Sequence, residues 1–500
     1  MAETDRRTIA AGIKGERLME AAGEGIARLI MERFAPAPVA VLCGPGNNGG
    51  DGFVIARHLV RAGWRVRLAS LAPVSKLSGD AGINARRWSR LHGRQATVPL
   101  TPAILDGAGL VVDALFGAGL VRPLGGVAGN VVAELNRRGL PVVAVDVPSG
   151  LDADTGAVAG EAGGGVAARA AFTVTFFRKK PGHILFPGRA LCGETRLIDI
   201  GIAADVLDAI APATFENVPA LWCGAFPVPG SAAHKYSRGH AVICGGTRMT
   251  GAARLAARAA ARVGAGLVTI ASAPEAIPIY AADRAGQLTT ALTARDDLAK
   301  YLSDPRRRAV LVGPGYGVGR RTREHARVAL TLGKAVCLDA DGLTSFADWP
   351  SGLFSALAEA GSLDGAAVLT PHEGEFRRLF PDLGEGGRLA RARAAAARAG
   401  AVVVLKGADT VVAAPDGRAA INANAPPWLA TAGSGDVLAG MITGFLAQGV
   451  APFEAAAMAV WIHGAAAERF GPGLVADDLP DLIPRVLRAL TASAASGTDT

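Results

Sequence analysis

The residues best placed to do chemistry begin with Gly44-Pro-Gly-Asn-Asn-Gly-Gly-Asp-Gly52, which follows the apolar run Val39–Cys43 and leads into the helix expected over Phe53–Ala62. A glycine-rich turn feeding a helix offers free backbone N–H groups and the positive end of the helix dipole, a setting that suits phosphate. Five glycines in nine positions are expected to supply positive φ and close approach of the backbone to a ligand. No Lys-Ser/Thr follows, so this is not a P-loop, and the spacing is not G-x-G-x-x-G. Asn47, Asn48 and Asp51 add oxygens for a cation or a ribose. Asp113 in VVDALFGAG and Asp146 in VDVPSG close two further apolar runs. Ligand crevices in parallel sheets open at such strand ends, so Asn48, Asp113 and Asp146 are expected to converge. The loop Gly117–Pro123 lies across the same edge, with Arg122 available to a phosphate. One strand-end Asp is ordinarily a helix cap or an Asx turn; two beside a glycine-rich turn favour a site.

The second half carries Thr431-Ala-Gly-Ser-Gly-Asp436-Val-Leu-Ala-Gly440, small residues running straight into a helix. Gly433, Ser434 and Gly435 can present N–H groups to a transferring phosphoryl group, and Asp436 can take the proton of a hydroxyl nucleophile. An Asp in the first turn is also simply favoured by the dipole, so its company decides. Lys406-Gly-Ala-Asp-Thr410 ends a buried run and suits a nucleotide phosphate. His372-Glu-Gly-Glu375 ends another: Glu375 can hold magnesium through water, and His372 is either a substrate contact or a satisfied turn histidine. GPGYG (313–317) and GTRMTGAARLA (246–256) add two more glycine-bearing strand ends to that edge.

The elements that position these residues alternate short apolar runs with helical stretches, the rhythm of a parallel α/β sheet covered on both faces. In the first half the runs are 39–43, 65–70, 110–115, 141–147 and 171–176, ending near 194–202. In the second they are 240–246, 267–272, 309–315, 335–342, 367–375 and 402–412, followed by helices starting near Gly435 and Phe453. The expected division is a first domain over 1–212, a Pro-rich linker (or first arm of the next domain) over 213–229, a second domain over 230–490 and a disordered tail over 491–500.

With 50% apolar and 19% charged residues the chain has ample material for two cores, which excludes a disordered polypeptide. Its 65 Gly and 29 Pro show no collagen period. A net charge of +8 over 500 residues, with Arg306-Arg307-Arg308 as the densest basic cluster and 5% aromatics, speaks against nucleic acid, though a faint positive field favours anionic substrates. No apolar run approaches the ~18 residues of a membrane span, and MAETDRRTIAAG has no signal-peptide core. Five cysteines without CxxC spacing argue against zinc and for reduced thiols, so a cytoplasmic location is expected.

GIKGERLMEAAG (12–23), GPGNNGGDG, DALFGAG, VDVPSGLDADTG and KKPGH (179–183) together resemble the NAD(P)HX epimerase domain over roughly residues 8–210. The family more often has Asn where this chain has Ala22. The resemblance implies a Rossmann-like three-layer fold and a hydrated nicotinamide nucleotide as substrate, its two epimers interconverted. By the family's pattern Asn47, Asn48, Gly49, Gly50 and Asp51, with Gly117, Ala118, Gly119, Leu120, Val121, Arg122 and Pro123, hold the nucleotide. Asn48, Asp113 and Ser149 hold potassium, and Asp146 contacts the substrate. Asp146 is taken as the group that moves the proton.

TAGSGDVLAG, TPHEGEF, GPGYG, HAVICGG with TGAARLAARAA, and GAGLVTI resemble the ADP-dependent NAD(P)HX dehydratase domain, of the ribokinase-like superfamily, over about 225–490. His234-Lys235 is followed here by Tyr236, with glycine only at 239, where the family has an earlier glycine. A nearby kinase family reads Asn-x-x-Glu in place of His372-x-x-Glu375. By the family's pattern Lys406, Gly407, Ala408, Asp409, Thr410 and Gly435, with the N–H groups of Gly433 and Ser434, bind the adenine nucleotide. Ala253, Gly315, Gly317, His372 and Asp436 face the hydrated nicotinamide. The implied chemistry phosphorylates the hydroxyl and then eliminates phosphate, a far better leaving group than hydroxide.

The reading that unites both halves is a bifunctional repair enzyme acting on NADHX and NADPHX, with ADP as co-substrate and potassium and magnesium as cofactors. No nucleic-acid or membrane partner is expected. Because ribokinase-like domains often assemble, a homo-oligomer is expected. The competing readings are a ribokinase-like small-alcohol kinase with an N-terminal nucleotide-sensing domain, and a non-catalytic NAD-binding regulator. Asp436, Lys406 and Glu375 together argue against the latter, since a pure binder needs no base beside an anion hole.

Overall fold

Apolar runs without a polar face become strands only where helices cover both sides of a sheet. The protein's computed structural model describes residues 2–92, 97–120, 122–160, 165–361 and 366–496 and divides into two units, 1–212 and 213–500.

The first unit is a seven-stranded parallel sheet in the order β3-β2-β1-β4-β5-β6-β7. The strands are β1 (Val39–Cys43), β2 (Val66–Ser70), β3 (Thr97–Pro99), β4 (Leu110–Ala114), β5 (Val142–Val145), β6 (Phe172–Phe176) and β7 (Glu194–Ile198). Strands β1, β4, β5 and β6 are buried at every position. One face packs on the helices Gly15–Arg33, Asn47–Arg61 and Gly79–His92 through Ile26, Phe53, Leu59 and Trp88. The other packs on Gly126–Arg138 through Val131 and Leu135. The strand order reverses between β1 and β4, the position at which such sheets open a ligand crevice.

The helix after β1 starts at Asn47, not at Phe53, so most of the glycine-rich run is helical. None of Gly44, Gly46, Gly49, Gly50 and Gly52 has positive φ. All but Gly46, whose Cβ position is open, are there for close approach: a Cβ on Gly44 would lie 1.7 Å from the Leu115 carbonyl, one on Gly49 1.9 Å from the Gly44 carbonyl, and one on Gly52 2.7 Å from Cys43 Sγ. Glycine lets the first turn of the helix sit directly on the strand tips.

The second unit has a ten-stranded sheet, β11-β10-β9-β12-β13-β14-β15-β16-β17-β8. Its strands are β8 (Thr214–Glu216), β9 (His240–Gly245), β10 (Leu267–Ser272), β11 (Leu288–Ala291), β12 (Arg307–Val312), β13 (Ala335–Leu338), β14 (Ala367–Leu369), β15 (Val402–Leu405), β16 (Val411–Ala413) and β17 (Ala419–Ile421). From β11 to β15 all pairs are parallel; β16 is antiparallel to both its neighbours, and β8 runs parallel to β17. The apolar run 402–412 therefore folds as two strands around the loop 406–410 rather than as one. The helix Ser434–Ala447 lies against Thr250–Arg262 almost backbone to backbone. A Cβ on Gly440 would stand 2.2 Å from the Ala256 carbonyl, and one on Gly444 2.7 Å from that of Ala260.

The Pro-rich stretch 213–229 is not a free linker: it begins with β8 and is pinned by a chain of buried amides. Asn217 donates to Asn422 Oδ1 (3.0 Å) and to the Ala457 carbonyl (2.9 Å), and accepts from Trp222 Nε1 (3.1 Å). The last helix, Leu479–Ser496, continues six residues into the stretch expected as a tail, because its Ala-rich sequence favours helix; residues 497–500 lie outside the described residues. Cys43, Cys192, Cys244 and Cys337 are buried free thiols and Cys223 is an exposed one. Among the described residues no helix is long and apolar enough to cross a membrane.

Candidate functional sites

In the first unit the tips of β1, β4 and β5 surround a crevice of about 760 Å³. Asn47, Asn48, Asp51, Gly117, Ala118, Gly119, Leu120, Arg122 and Asp146 all line it, with Gly49 and Gly50 buried in the helix beneath. Pro123 is not on its wall but packs near Gly160, and Val121 lies outside the described residues. No side chain caps the helix at Gly46, so its first turn faces the crevice with backbone N–H groups.

Asp146 follows β5 directly, with φ of 67°, a left-handed conformation costly for a residue with a Cβ. The strained turn is fixed from several sides. Lys180 Nζ donates to Asp146 Oδ1 (2.6 Å), Thr175 Oγ1 donates to the same oxygen (3.0 Å) and the Ala118 N–H to Oδ2 (3.1 Å). His183 Nε2 meets the Asp146 carbonyl at 2.7 Å while its Nδ1 accepts from the Lys180 N–H at 2.9 Å. Burial alone would raise the Asp146 pKa, but the Lys180 ammonium outweighs it and holds the carboxyl below its ordinary value. Asp51, on the same crevice, goes the other way: burial, then the charges of Asp146 and Asp5, push it well above the ordinary range. His183, neutralised by burial, is held down at about 4.

Asp113 and Ser149 lie fully buried behind the crevice wall. Ser149 Oγ donates to Asp113 Oδ1 (2.6 Å), the Ser149 N–H to Oδ2 (2.8 Å), and the Phe116 N–H to Ser149 Oγ (2.9 Å). Asn48 Oδ1 and Asp146 Oδ2 both close on Gly117, 3.0 and 3.2 Å from where its Cβ would be. Asn48 Nδ2 is buried without a partner among the described residues. The structure thus groups Asp113 with Ser149, and Asn48 with Asp146 and Gly117.

In the second unit the center of charge is a pair that the sequence reading half missed. Lys406 Nζ donates to Asp339 Oδ1 at 2.6 Å, and Asp339, directly after β13, is 2% exposed at its side chain. Both reach the first turn of the helix Ser434–Ala447: a Cβ on Gly435 would lie 3.5 Å from Lys406 Nζ and 3.9 Å from Asp339 Oδ2. A Cβ there would sit in ordinary van der Waals contact with the pair, so the ion pair lies directly against the helix start. Gly433, with φ of 90°, starts the helix, and Ser434 Oγ donates to the Leu429 carbonyl (2.9 Å). Asp436 is pushed up to about 6, by burial first and then by the charge of Asp339. Burial opposes the Lys406 charge, yet Asp339 and Glu375 keep its pKa above the ordinary value.

His372 and Glu375 form a reciprocal cap. His372 Nδ1 accepts from the N–H groups of Gly374 (3.0 Å) and Glu375 (3.3 Å), and Glu375 Oε2 accepts from the His372 N–H (2.8 Å). His372 is therefore a turn histidine on its Nδ1 side, while its ring is 57% exposed. Burial raises the Glu375 carboxyl, with Lys406 opposing. Thr410 Oγ1 closes the 406–410 loop on the Gly407 carbonyl (2.8 Å), and Arg388 braces it from behind through Asp409 (3.1 Å) and the Lys406 carbonyl (3.3 Å). Gly315, with φ of 60°, presses on Gly246, whose Cβ would be 1.8 Å from the Gly315 carbonyl. The Gly317 N–H donates to Asp341 (2.8 Å), and Ala253 is wholly buried in its helix.

Four residues of these sites went unassigned in the sequence: Lys180, Thr175, Asp339 and Arg388. Asp339 carried the same signal as Asp113 and Asp146, an acid at the end of an apolar run.

A family model described as NAD(P)H-hydrate dehydratase matches residues 240–485, and one described as YjeF-related protein N-terminus matches residues 15–182. The chain is 41% identical to the bifunctional NAD(P)H-hydrate repair enzyme Nnr of Salinibacter ruber, over 97% of this chain and 94% of that protein. To the enzyme of the same name from Thermofilum pendens it is 37% identical, over 96% and 93%. Among solved structures, the ADP/ATP-dependent NAD(P)H-hydrate dehydratase from Bacillus subtilis, co-crystallized with ATP/Mg2+, aligns at 29% identity and a TM-score of 0.47, covering 55% of this chain and 98% of that one.

Proposed function

The chain belongs to the family of bifunctional NAD(P)H-hydrate repair enzymes, and we propose that its two sets of strand tips divide the repair between them. The first unit epimerises the hydrated nicotinamide, and the second dehydrates one epimer back to NAD(P)H. This membership favours repair over a small-alcohol kinase.

In the first unit the nucleotide's phosphates meet the N–H groups of the helix at Asn47, and the hydrated ring meets Asp146. Epimerisation requires the hydroxyl to take up a proton and leave as water, and water to add to the other face of the carbon and give a proton up. Asp146, ionised by Lys180 and fixed by Thr175 and Ala118, is the acceptor that the geometry offers. Asn48 Oδ1, Asp113 and Ser149 are an oxygen-bearing set suited to a hard cation such as potassium, while the unpartnered Nδ2 of Asn48 is a donor suited to a nucleotide oxygen. When bound, that ion supplies positive charge near the phosphates.

In the second unit Asp436 takes the proton of the substrate hydroxyl as its oxygen attacks the terminal phosphorus of ADP, releasing AMP. The N–H groups of Gly433, Ser434 and Gly435 and the Lys406 ammonium carry the phosphoryl charge. The C–O bond then breaks toward phosphate while the neighbouring carbon loses a proton, restoring the ring double bond. Among the described residues no three His, Cys, Asp or Glu side chains form a direct metal cage. Magnesium would be held by the nucleotide phosphates and water with Glu375 behind it, where the ion would supply charge neutralisation. We further infer a cytoplasmic homo-oligomer: four buried free thiols support a reducing compartment, and assembly is common among ribokinase-like domains.

The observation that carries this reading is the meeting of Lys406, Asp339 and Asp436 at one glycine-lined helix start. The test is incubation with separated epimers of hydrated NADH, with and without ADP. The unaltered chain should interconvert the epimers without ADP and regenerate the reduced-nicotinamide absorbance only with it. Asp436→Asn should lose the second activity and keep the first. Absorbance that never returns would refute the dehydratase assignment.

A further inference from the structure

A second cavity, of about 880 Å³, opens beside the first crevice in the first unit, and nothing above uses it. Its walls include Ser70, Ser75, Arg86, Ser89, Pro99 and Val127. It lies at the ends of β2 and β3, next in line to the tip of β1. Cys43 of β1 is paired with Ser70 of β2, and Ser70 with Pro99 of β3. On the other side Cys43 is paired with Ala114 of β4, and Asp113 with Ala144 of β5, two residues before Asp146. From β2 to β5 is three strand spacings, about 14 Å across the carboxyl edge. The helix start at Asn47 stands between the two cavities, at the tip of β1.

A dinucleotide has its pyrophosphate between two nucleoside halves. With the hydrated nicotinamide at Asp146 and the pyrophosphate on the helix at Asn47, the adenosine half must run toward β2 and β3. We propose that the second cavity receives that half and that Arg86 reads the 2′-phosphate of its ribose, so that hydrated NADPH is preferred to hydrated NADH. This rests on the epimerase reading of the first unit.

The side chains fit the assignment. Sheets that select an unphosphorylated ribose place a carboxylate near the end of the second strand, where it accepts from the 2′-hydroxyl and repels a phosphate. Here that end reads Ser70-Leu-Ala-Pro-Val-Ser75, and no carboxylate is among the described residues lining the cavity. Arg86 is the cavity's charged residue among those described. Its Nη1 lies 3.2 Å from where a Cβ on Gly82 would be, so the guanidinium runs back along its own helix. Its neighbour Arg87 pairs with Glu16, and Arg57 with Glu20, whereas Arg86 has no hydrogen bond or ion pair with another described residue. An unpaired guanidinium on a cavity wall is a ready partner for a phosphate.

The test measures initial rates of epimer interconversion by the full chain, without ADP, on hydrated NADPH and hydrated NADH. Arg86→Ala is expected to raise KM for hydrated NADPH about tenfold and to leave that for hydrated NADH within about twofold. Ser75→Asp, which adds the missing carboxylate on an exposed position, should move KM in the same direction for the same substrate. Interconversion of hydrated NADH at an unaltered rate reports that the first unit of each variant is folded. Equal changes for both substrates, or none for either, would overturn the inference while leaving the epimerase reading intact. Interconversion of neither substrate by the unaltered chain would overturn the epimerase reading and this inference with it.

Discussion

Lys180 Nζ is 2.6 Å from Asp146 Oδ1, and the two residues come from the ends of neighbouring strands, β6 and β5. The lysine side chain is 7% exposed, so the pair is shielded from water and from salt. Lys180→Met, which keeps the volume and removes the charge, is expected to cut epimerisation by roughly 100-fold or more. The sign of the pH effect is definite: without the ammonium, burial raises the Asp146 carboxyl, so the acid limb of the rate profile should move to higher pH. A loss of rate with an unmoved profile would remove Asp146 as the proton acceptor. Asp146→Asn that lost binding but kept turnover per bound substrate would do the same.

Dehydration should depend on the ionised form of Asp436. Because burial and Asp339 raise this group to about 6, kcat/KM is expected to rise with pH through that value and then level. Asp339→Asn removes a like charge, so the midpoint should fall. It also releases Lys406 from its carboxylate and removes a negative charge from the site, so KM for ADP should fall as well. A profile that is flat between pH 5 and 7, roughly one unit either side of the expected midpoint, would exclude Asp436 as the base.

Chelation separates the two activities. Removal of divalent ions should abolish dehydration and leave epimerisation in place, because the carboxylate expected to hold magnesium, Glu375, belongs to the second unit alone. Glu375→Gln should raise the magnesium concentration for half-maximal dehydration by about tenfold. A titration that superimposes on that of the unaltered chain would assign the ion elsewhere.

Gly440→Val probes the packing behind the turn proposed to bind the phosphoryl group. Even the first added carbon would fall 2.2 Å from the Ala256 carbonyl, which is backbone and cannot swing aside. Overpacking of this kind costs typically 1–3 kcal/mol, so denaturant unfolding of the second unit should shift to lower urea. Unchanged unfolding would show that the two helices part without cost.

The central strands of both sheets are legible in the sequence because a strand covered on both faces needs an unbroken apolar run. The short edge strands Thr97–Pro99 and Leu288–Ala291 are not, because they are half exposed and carry no such run. The helix over Asn47–Gly52 is hidden by its own residues: Asn and Gly are poor helix formers, and only the contact with the strand tips makes them worth their places. The acids at strand ends could be picked out one at a time, Asp113 and Asp146 by position and Asp339 by the same rule. The lysines that neutralise them could not be matched to them. Lys180 lies 34 positions from Asp146, and Lys406 lies 67 from Asp339, and the chain's path alone decides which meets which.

Strand β8 has a practical consequence for anyone wishing to divide the chain. A polypeptide started at residue 230 would discard that strand and lay bare the hydrogen-bonding groups of Ala419–Ile421, a ready template for self-association. Cut instead before Ala213, the second half should be produced as a soluble fragment that keeps its own border.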